Sequence, residues 1–384
     1  KYRITKYIDN GDLYLLEDFE KNIEQIKDLL TTTLPSSCKV DDNPYIFPLQ
    51  RNLIFNLKNE FAEIKSMKDK NCLTEPLKAF FGRLVKIPES KYDTPIVLLD
   101  NNANMKQLLA IHNAMKNPVS YIQGPPGTGK TSTIVNTILT AFFNDKTVLF
   151  TSYNNKPIDG VAEKLSKITY DNYPPLFPML EIKNNDKIPQ ALKKVRSLYE
   201  TAKNKIVFKD MLIKKKRLEL DKTEKINRLL EEYEKRVEID ETKIVLDKMT
   251  DKIKTMEFNL FLQGIESKNL KKREDNLGKI DYKETISLIN ENKRDFFMYI
   301  YFKTVDLLKK IDLSEYKDFK DILYMEKEEE QKKAFNQYLR NDENIYKLLN
   351  IFPVMLVTCI SARKVGSPKQ YFDLTIMDEA SQCD

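Results

Sequence analysis

The chain contains 384 residues, of which 41% are hydrophobic and 32% are charged, and its 64 basic and 58 acidic side chains leave a formal net charge of +6. A chain of this size and hydrophobic content can bury a core and hold more than one folding unit, which excludes wholesale disorder. The positive excess is too small to indicate a nucleic-acid-binding protein by itself.

Cysteine and histidine usage excludes several kinds of site. The chain has a single histidine, His112, and four cysteines with neither metal-ligand nor redox spacing: Cys38, Cys72, Cys359 and Cys383. We therefore expect neither a zinc site nor a Ser-His-Asp or Cys-His catalytic unit. Such cysteines are typical of a reducing compartment. Since no apolar run is long enough to span a membrane and the charged start is unlike a signal peptide, we expect a cytoplasmic protein with no membrane partner.

Residues 1–95 form the first region of the chain. Apolar residues recur at helical spacing around 15–30 and 53–67, so we predict a mostly helical N-terminal accessory region. The first residue is a lysine and not a methionine. We expect the chain to be a piece of a longer protein.

Strand and helix patterns alternate in residues 96–190 and again in residues 351–384. Short apolar runs bounded by turn signals predict four buried parallel strands, at 119–122, 147–152, 354–358 and 372–377. A helical pattern at 131–143 lies between the first two predicted strands, and another at 158–167 follows the second. This alternation indicates one doubly wound α/β domain, interrupted by a long insertion.

Three of the nine glycines lie within six residues of one another, in the sequence GPPGTGKT at 124–131. This matches the template G-x-x-x-x-G-K-[ST], in which successive backbone N–H groups surround nucleotide phosphates at the start of a helix. Lys130 would lie at the β- and γ-phosphates, and the Thr131 hydroxyl would bind Mg²⁺. The predicted nucleotide-binding residues here are Gly124, Pro125, Pro126, Gly127, Thr128, Gly129, Lys130, Thr131 and Ser132.

Residues 191–350 differ in composition from the rest of the chain. They contain 69 charged residues among 160, or 43%, against 24% elsewhere, and no proline. Apolar residues at three- and four-residue spacing from Ile226 to Leu260 predict amphipathic helices. Because Gly264 and Gly278 are the only glycines in residues 191–350, we predict a charged helical hairpin whose turn lies around 264–280.

Two acidic residues, Asp378 and Glu379, follow the last predicted strand. Phosphoryl transfer needs an acidic side chain near the magnesium ion, and the expected place for it is the end of a second parallel strand. Asp378 would bind the coordination shell of Mg²⁺, and Glu379 would orient and deprotonate the attacking water. The residues therefore predict an ATP hydrolase that uses ATP and Mg²⁺.

The pairing of GPPGTGKT with DEASQ at 378–382 resembles the superfamily 1 helicases, in the branch that includes the nonsense-mediated-decay RNA helicase and the eukaryotic replication helicase-nuclease. Three further segments are similar to motifs of that family: the adenine-recognition motif at 102–111 (NANMKQLLAI), motif Ia at 151–165 (TSYNNKPIDGVAEKL) and the strand before motif II at 356–362 (LVTCISA). The resemblance implies a RecA-like P-loop NTPase domain, with a parallel sheet and flanking helices, that carries a long, coiled-coil-like helical insertion.

The resemblance also implies roles for individual residues. Gln107 would hydrogen-bond adenine, and Gln382 would sense the γ-phosphate. The catalytic set would be Lys130, Asp378, Glu379 and Gln382, with Thr131 and Asp378 at the metal. The residues that would line the path of a single strand are Tyr153, Asn154, Asn155 and Thr358.

The implied function is that of an ATP-dependent helicase or translocase on single-stranded DNA or RNA. The sequence would hold the first RecA-like domain only, so its own hydrolysis would be slow without the arginine fingers of a second domain. The alternative is a nucleotide-gated switch or defence-type NTPase whose insertion controls a partner protein without unwinding. A structural coiled-coil protein is a weaker alternative, because Lys130, Asp378 and Glu379 are intact.

The insertion starts with a basic arm, for which the sequence allows more than one role. Residues 191–230 contain 13 basic and 5 acidic residues, including the run Lys214-Lys215-Lys216-Arg217. The arm could lie along nucleic acid and neutralise phosphates, or it could be a solvated helical face. The insertion could also bind a partner protein or a second copy of the chain.

Overall fold

A computed structural model describes residues 21–34, 58–83, 94–99, 102–125, 127–207, 220–252, 257–278, 281–291 and 293–380. The chain divides into two compact units, residues 1–59 and 60–384. Helix α1 (Ile23–Thr33) lies in the first unit, helix α2 (Lys58–Asp69) begins with the last two residues of that unit, and α3 (Glu75–Phe80) lies in the second. The described part of the N-terminal region is therefore largely helical, as predicted.

The centre of the second unit is a parallel sheet of four strands: β1 (Val148–Ser152), β2 (Met179–Ile182), β3 (Val354–Thr358) and β4 (Leu374–Asp378). Their order across the sheet is β2-β3-β1-β4. Ser152, at the end of β1, is in register with Thr358 of β3 and Asp378 of β4. The carboxyl ends of these three strands therefore form one edge, which is where ligands bind in open α/β sheets. The predicted α/β class is confirmed.

Three of the four predicted strands are present, within two residues of their expected bounds, and the prediction at 119–122 is wrong. In that segment Val119 is 54% exposed and Tyr121 86% exposed. A strand needs a neighbour for its backbone hydrogen bonds, and no described strand pairs with this segment. Strand β2 was not predicted, because Pro178 and the charge of Glu181 interrupt its apolar run.

Helices cover both faces of the sheet. Along β3, Val354 and Leu356 belong to one hydrophobic cluster, with α5 (Lys130–Phe143) and α6 (Asn155–Ser166). Met355 and Val357 belong to the opposite cluster, with α7 (Ile188–Ala202). This two-residue alternation places a core on each face, as in a sheet buried on both sides.

Helix α4 (Met105–Lys116) precedes α5, and the helices not yet described lie in the long segment predicted to be an insertion. They are α8 (Leu220–Lys252), α9 (Glu257–Asp275), α10 (Tyr282–Asn290), α11 (Lys293–Lys309), α12 (Lys317–Leu323), α13 (Glu328–Tyr338) and α14 (Asp342–Leu349), and the short α15 (Cys359–Ala362) follows β3. Buried residues of α7 and α11–α14 share the core of the sheet. The segment's boundaries at 191 and 350 stay a prediction, and the run Lys214–Arg217 lies outside the described residues.

The hairpin is present, but its predicted turn at 264–280 is misplaced. Lys243 of α8 donates a hydrogen bond to Glu274 at 2.6 Å, and Arg236 donates one to the Gly278 carbonyl at 3.0 Å. These pairs run antiparallel, so α8 and α9 form the two arms of the hairpin. Gly264 lies inside α9, because a helix tolerates an interior glycine at a cost of about 1 kcal/mol. In the described part of the chain no helix is long and apolar enough to cross a membrane.

Phe142 provides a test of the core beside the sheet. Its side chain is fully buried, and its ring lies edge-on to that of Phe177, with centroids 5.2 Å apart. We expect Phe142→Ala to lower the free energy of unfolding by about 3–5 kcal/mol, since truncation leaves a cavity. Phe80→Ala is the control in urea unfolding, because Phe80 is 81% exposed. Equal losses from the two substitutions would contradict this arrangement of the core.

Candidate functional site

The glycine-rich loop before α5 has a backbone that only glycine adopts easily. Gly127 and Gly129 have φ angles of 81° and 86°, in the left-handed region. A Cβ atom at Gly129 would lie 2.6 Å from Nε2 of Gln107. The loop is closed by Thr128, whose hydroxyl donates a hydrogen bond to the Pro125 carbonyl at 2.7 Å. Since the first N–H groups of a helix have no acceptor within it, the loop and the start of α5 form a site suited to phosphate.

Gln107 links this loop to the helix before it, α4 (Met105–Lys116). Its backbone N–H donates to the Asn104 side chain at 3.0 Å, and its own Oε1 accepts from the Asn104 backbone at 3.0 Å, which forms a capping box. Its Nε2 donates to the Thr128 carbonyl at 2.9 Å. The residue predicted to recognise adenine therefore touches the phosphate loop from the side.

Lys130 and Glu379 lie next to each other although 249 positions separate them in the sequence. The Lys130 Nζ atom lies 3.3 Å from Oε1 of Glu379, and both side chains are about one-third exposed. Glu379 has a φ angle of 56°, in the left-handed region, which a residue with a side chain adopts at a cost of about 1–3 kcal/mol. Its backbone N–H donates to Oδ1 of Asp378 at 3.0 Å. Strained backbone of this kind is concentrated at functional sites.

The donors available to a magnesium ion are oxygens. Thr131 follows Lys130 in the first turn of α5, and Asp378 ends β4. Mg²⁺ is usually held by one or two protein oxygens together with substrate phosphates, so this hydroxyl and this carboxylate fit the ion. Ser132, the last residue of the predicted loop, accepts a hydrogen bond from Lys164 of α6 at 2.8 Å.

The residues predicted to contact a single strand lie just after β1 and at the last position of β3. Tyr153 is 49% exposed, and Asn154 is also exposed. Asn155 begins α6, and its Oδ1 is buried without a hydrogen-bond partner among the described residues. Thr358 is only 5% exposed, and its hydroxyl caps α15 by accepting from the Ser361 N–H at 3.2 Å. Tyr153 and Asn154 are therefore better placed than Thr358 to meet a ligand.

Two of the predicted site residues, Pro126 and Gln382, lie outside the described residues. The other predicted nucleotide, catalytic and metal residues come from α4, the glycine-rich loop, the start of α5 and the end of β4 with the residue after it. Their roles stay predictions.

A buried ionic cluster beside this edge was missed by the sequence reasoning. Lys183 follows β2, its side chain is 7% exposed, and its Nζ donates to Asp159 and to Glu181, each at 2.5 Å. Lys194 of α7 also donates to Glu181, at 2.7 Å. Burial alone would raise the pKa of Glu181, but the hydrogen bonds from the two lysines lower it. The charged Glu181 and Lys183 within an apolar run were the available signal.

His112 makes stability depend on pH. Burial lowers its pKa from 6.5, and the charge of Lys116 acts in the same direction, against smaller opposing effects of Asn227, Glu231 and Glu234. A lowered pKa means that the unfolded chain takes up the proton first, so the stabilisation is present above the unfolded pKa and is lost as the pH falls below it. We expect the free energy of unfolding to fall below about pH 6.5, by at most about 1.4 kcal/mol per pH unit.

The measurement that checks this is urea unfolding at about pH 7.5 and about pH 5.5, on either side of the histidine range. His112→Gln should remove this component of the pH dependence. A variant that loses as much stability on acidification as the unchanged chain would contradict the assignment to His112.

Comparison with known protein families matches residues 102–384 to a family described as an AAA domain. The chain is 26% identical to the DNA polymerase alpha-associated DNA helicase A of Saccharomyces cerevisiae over 234 residues, which are 58% of this chain and 31% of that protein. It is 30% identical to the uncharacterized ATP-dependent helicase MG140 of Mycoplasma genitalium over 127 residues, or 33% of this chain and 11% of that protein.

A third relative is a regulator of nonsense transcripts 1 homolog of Drosophila melanogaster, 37% identical over 65 residues, or 17% of this chain and 6% of that protein. No solved structure matches the chain significantly. The chain spans less than one third of the length of these curated relatives.

Proposed function

The chain belongs to the AAA domain family, and from this membership we propose that it is the first RecA-like part of a superfamily 1 helicase, which hydrolyses ATP and moves on single-stranded nucleic acid. One observation carries the proposal. The Lys130 ammonium at the start of α5 lies beside the Glu379 carboxylate just after β4. An anion-binding loop next to a carboxylate that can accept a proton is the arrangement that nucleotide hydrolysis requires.

In this proposal each residue acts through ordinary chemistry. Backbone N–H groups of the loop bind the phosphates of ATP, and Gln107 hydrogen-bonds adenine. Lys130 exchanges its contact with Glu379 for the β- and γ-phosphates, which carry more negative charge. Glu379, released from the ammonium, orients the attacking water and accepts its proton. Bound Mg²⁺, held by oxygens of Thr131 and Asp378, would neutralise phosphate charge.

Two features support a nucleic-acid substrate. Tyr153 and Asn154 are exposed where β1 ends, beside the proposed nucleotide site, and an aromatic ring there could stack on a base. The three relatives above include a protein named as a DNA helicase and one named as a regulator of nonsense transcripts. No observation favours the nucleotide-gated switch. A protein partner or self-association through residues 191–350, and a cytoplasmic location, stay predictions.

The test is ATP hydrolysis by the complete natural protein, measured with and without single-stranded DNA and single-stranded RNA. We expect hydrolysis to depend on Mg²⁺ and to rise when a strand is added, and the nucleic acid that stimulates more is the preferred substrate. Tyr153→Ala should reduce the stimulation and leave the basal rate unchanged. Hydrolysis that responds to neither nucleic acid would count against the helicase and for the switch.

A further inference from the structure

The hairpin helix α8 packs directly against α4, the helix that carries Gln107. Their shared hydrophobic cluster contains Leu108 and Ile111 of α4, Ile226 and Leu230 of α8, and Ile289 of α10, all at most 7% exposed. Helix α4 also contacts α5, which begins at the phosphate loop. Helix α4 therefore lies between the hairpin and the proposed nucleotide site.

Three polar contacts continue this interface along one face of α8. His112 Nδ1 lies 3.2 Å from Oδ1 of Asn227. Asn113 donates a hydrogen bond to Glu234, and Lys116 forms an ion pair with Glu231, each at 2.7 Å. The three α8 positions are 227, 231 and 234, a spacing that places them on the same side of the helix. The charged pair is well shielded, with side chains 23% and 15% exposed.

Some buried polar atoms of this interface have no hydrogen-bond partner among the described residues. His112 Nε2 and Asn113 Oδ1 are buried, and within the described part of the chain neither atom has a hydrogen-bond partner. An unsatisfied buried polar atom costs free energy that an apolar contact would not. Burial also keeps His112 neutral, because its pKa is lowered. Beside its hydrophobic cluster, the α4–α8 contact therefore depends on a few specific polar bonds, and we expect the position of α4 to respond when they change.

Gln107 transmits such a change to the phosphate loop. It lies nine positions before Lys116 on the same helix, about 14 Å at the rise of an α-helix. Its side chain caps the start of α4 and also donates to the Thr128 carbonyl. The fit against Gly129 leaves no room for an added Cβ atom. A small shift of α4 therefore moves Gln107 relative to the loop.

We propose that Glu231 and Glu234 are positioning residues, which hold α4 so that Gln107 meets the nucleotide, and that the hairpin thereby sets the affinity of the site for ATP. The inference rests on the proposed function, since it assumes that ATP binds at the glycine-rich loop with its adenine against Gln107. A ligand or partner that displaces the hairpin would change ATP affinity through the same contacts.

The experiment measures the affinity of the 384-residue chain for ATP and for inorganic triphosphate, which lacks adenine, both with Mg²⁺. We expect the double variant Glu231→Gln, Glu234→Gln to weaken ATP binding about tenfold, within the usual range of coupling between sites. Binding of inorganic triphosphate should change less than about twofold, because it has no adenine to meet Gln107 and is bound mainly by backbone N–H groups of the loop and by Lys130. Equal weakening of both ligands, or of neither, would overturn the inference.

Three further variants separate positioning from general loss of structure. Glu238→Gln removes an ion pair with Arg273 on the side of α8 that faces α9, and it should leave both affinities unchanged. The charge swap that combines Lys116→Glu with Glu231→Lys, with Glu234 unchanged, should retain most of the ATP affinity. In a Gln107→Ala background the double variant should have no additional effect. Additive losses in that background, or a swap as damaging as the double variant, would overturn the inference.

The same data distinguish the two proposals. If the unchanged chain binds ATP, and Lys130→Ala weakens that binding while the hairpin variants do not, only the role of the hairpin fails. If the unchanged chain does not bind ATP, the proposed function fails and the inference fails with it.

Discussion

We expect Lys130→Ala to weaken the binding of Mg·ATP by about 10- to 150-fold, the largest single effect on affinity in the site. The reason is the loss of a charge-assisted hydrogen bond to the phosphates, worth about 1.5–3 kcal/mol. Lys130 is the first residue of α5, and the only ion pair of its ammonium among the described residues is with Glu379. A phosphate group that reaches the loop would meet both the helix terminus and this charge. Titration calorimetry with ATP in the presence of Mg²⁺ measures the change.

Lys146→Ala is the matched control for this prediction. Lys146 is exposed and follows the opposite end of α5, so its removal changes net charge equally without touching the loop. We expect its ATP affinity to equal that of the unchanged chain at physiological salt, since distant surface charges are screened. If both alanine variants lost affinity to the same extent, the ammonium of Lys130 would have no special role.

The second large effect is expected from Glu379→Gln. The amide keeps the shape of the side chain but cannot accept a proton, so ATP hydrolysis by the complete natural protein should fall by about 10²- to 10⁴-fold. ATP affinity should be retained or increased, because the carboxylate that pairs with Lys130 has lost its charge. A lower rate with undiminished binding is the pattern of a group that acts in the transition state.

The control for this substitution is Glu163→Gln, on the exposed surface of α6. Its carboxylate is 67% exposed and pairs only with Lys167 among the described residues, so neither rate nor affinity should change. A Glu379→Gln variant that hydrolyses ATP at the normal rate would remove Glu379 from the proposed chemistry. A variant that loses binding and rate together would indicate that Glu379 supports the loop and has no role in proton transfer.

Local patterns allowed much of the fold to be predicted. The strands at 147–152 and 354–358 were recognisable as apolar runs between turn signals, because a buried parallel strand has to be hydrophobic on both faces. The segment at 119–122 has a similar pattern but is exposed. A strand exists only when another strand accepts its hydrogen bonds, and composition does not contain that information.

The hairpin shows the same limit in a helical segment. Helical spacing in the segment was read correctly, but the turn was assigned to the glycines, and Gly264 lies inside α9. Glycine is a weak signal inside a long amphipathic pattern, because packing of the two helices outweighs a local cost of about 1 kcal/mol. The reversal is recognisable only from cross-helix pairs such as Lys243 with Glu274.

The sequence by itself determined the phosphate loop, the acidic pair after the last strand and the family resemblance, because each depends on residues that are close together in the chain. Only the tertiary structure decided which distant groups meet. It placed Lys130 against Glu379 across 249 positions, and Lys116 against Glu231 across 115. Such contacts depend on strand order and helix packing, which are set by the whole core and not by any local pattern.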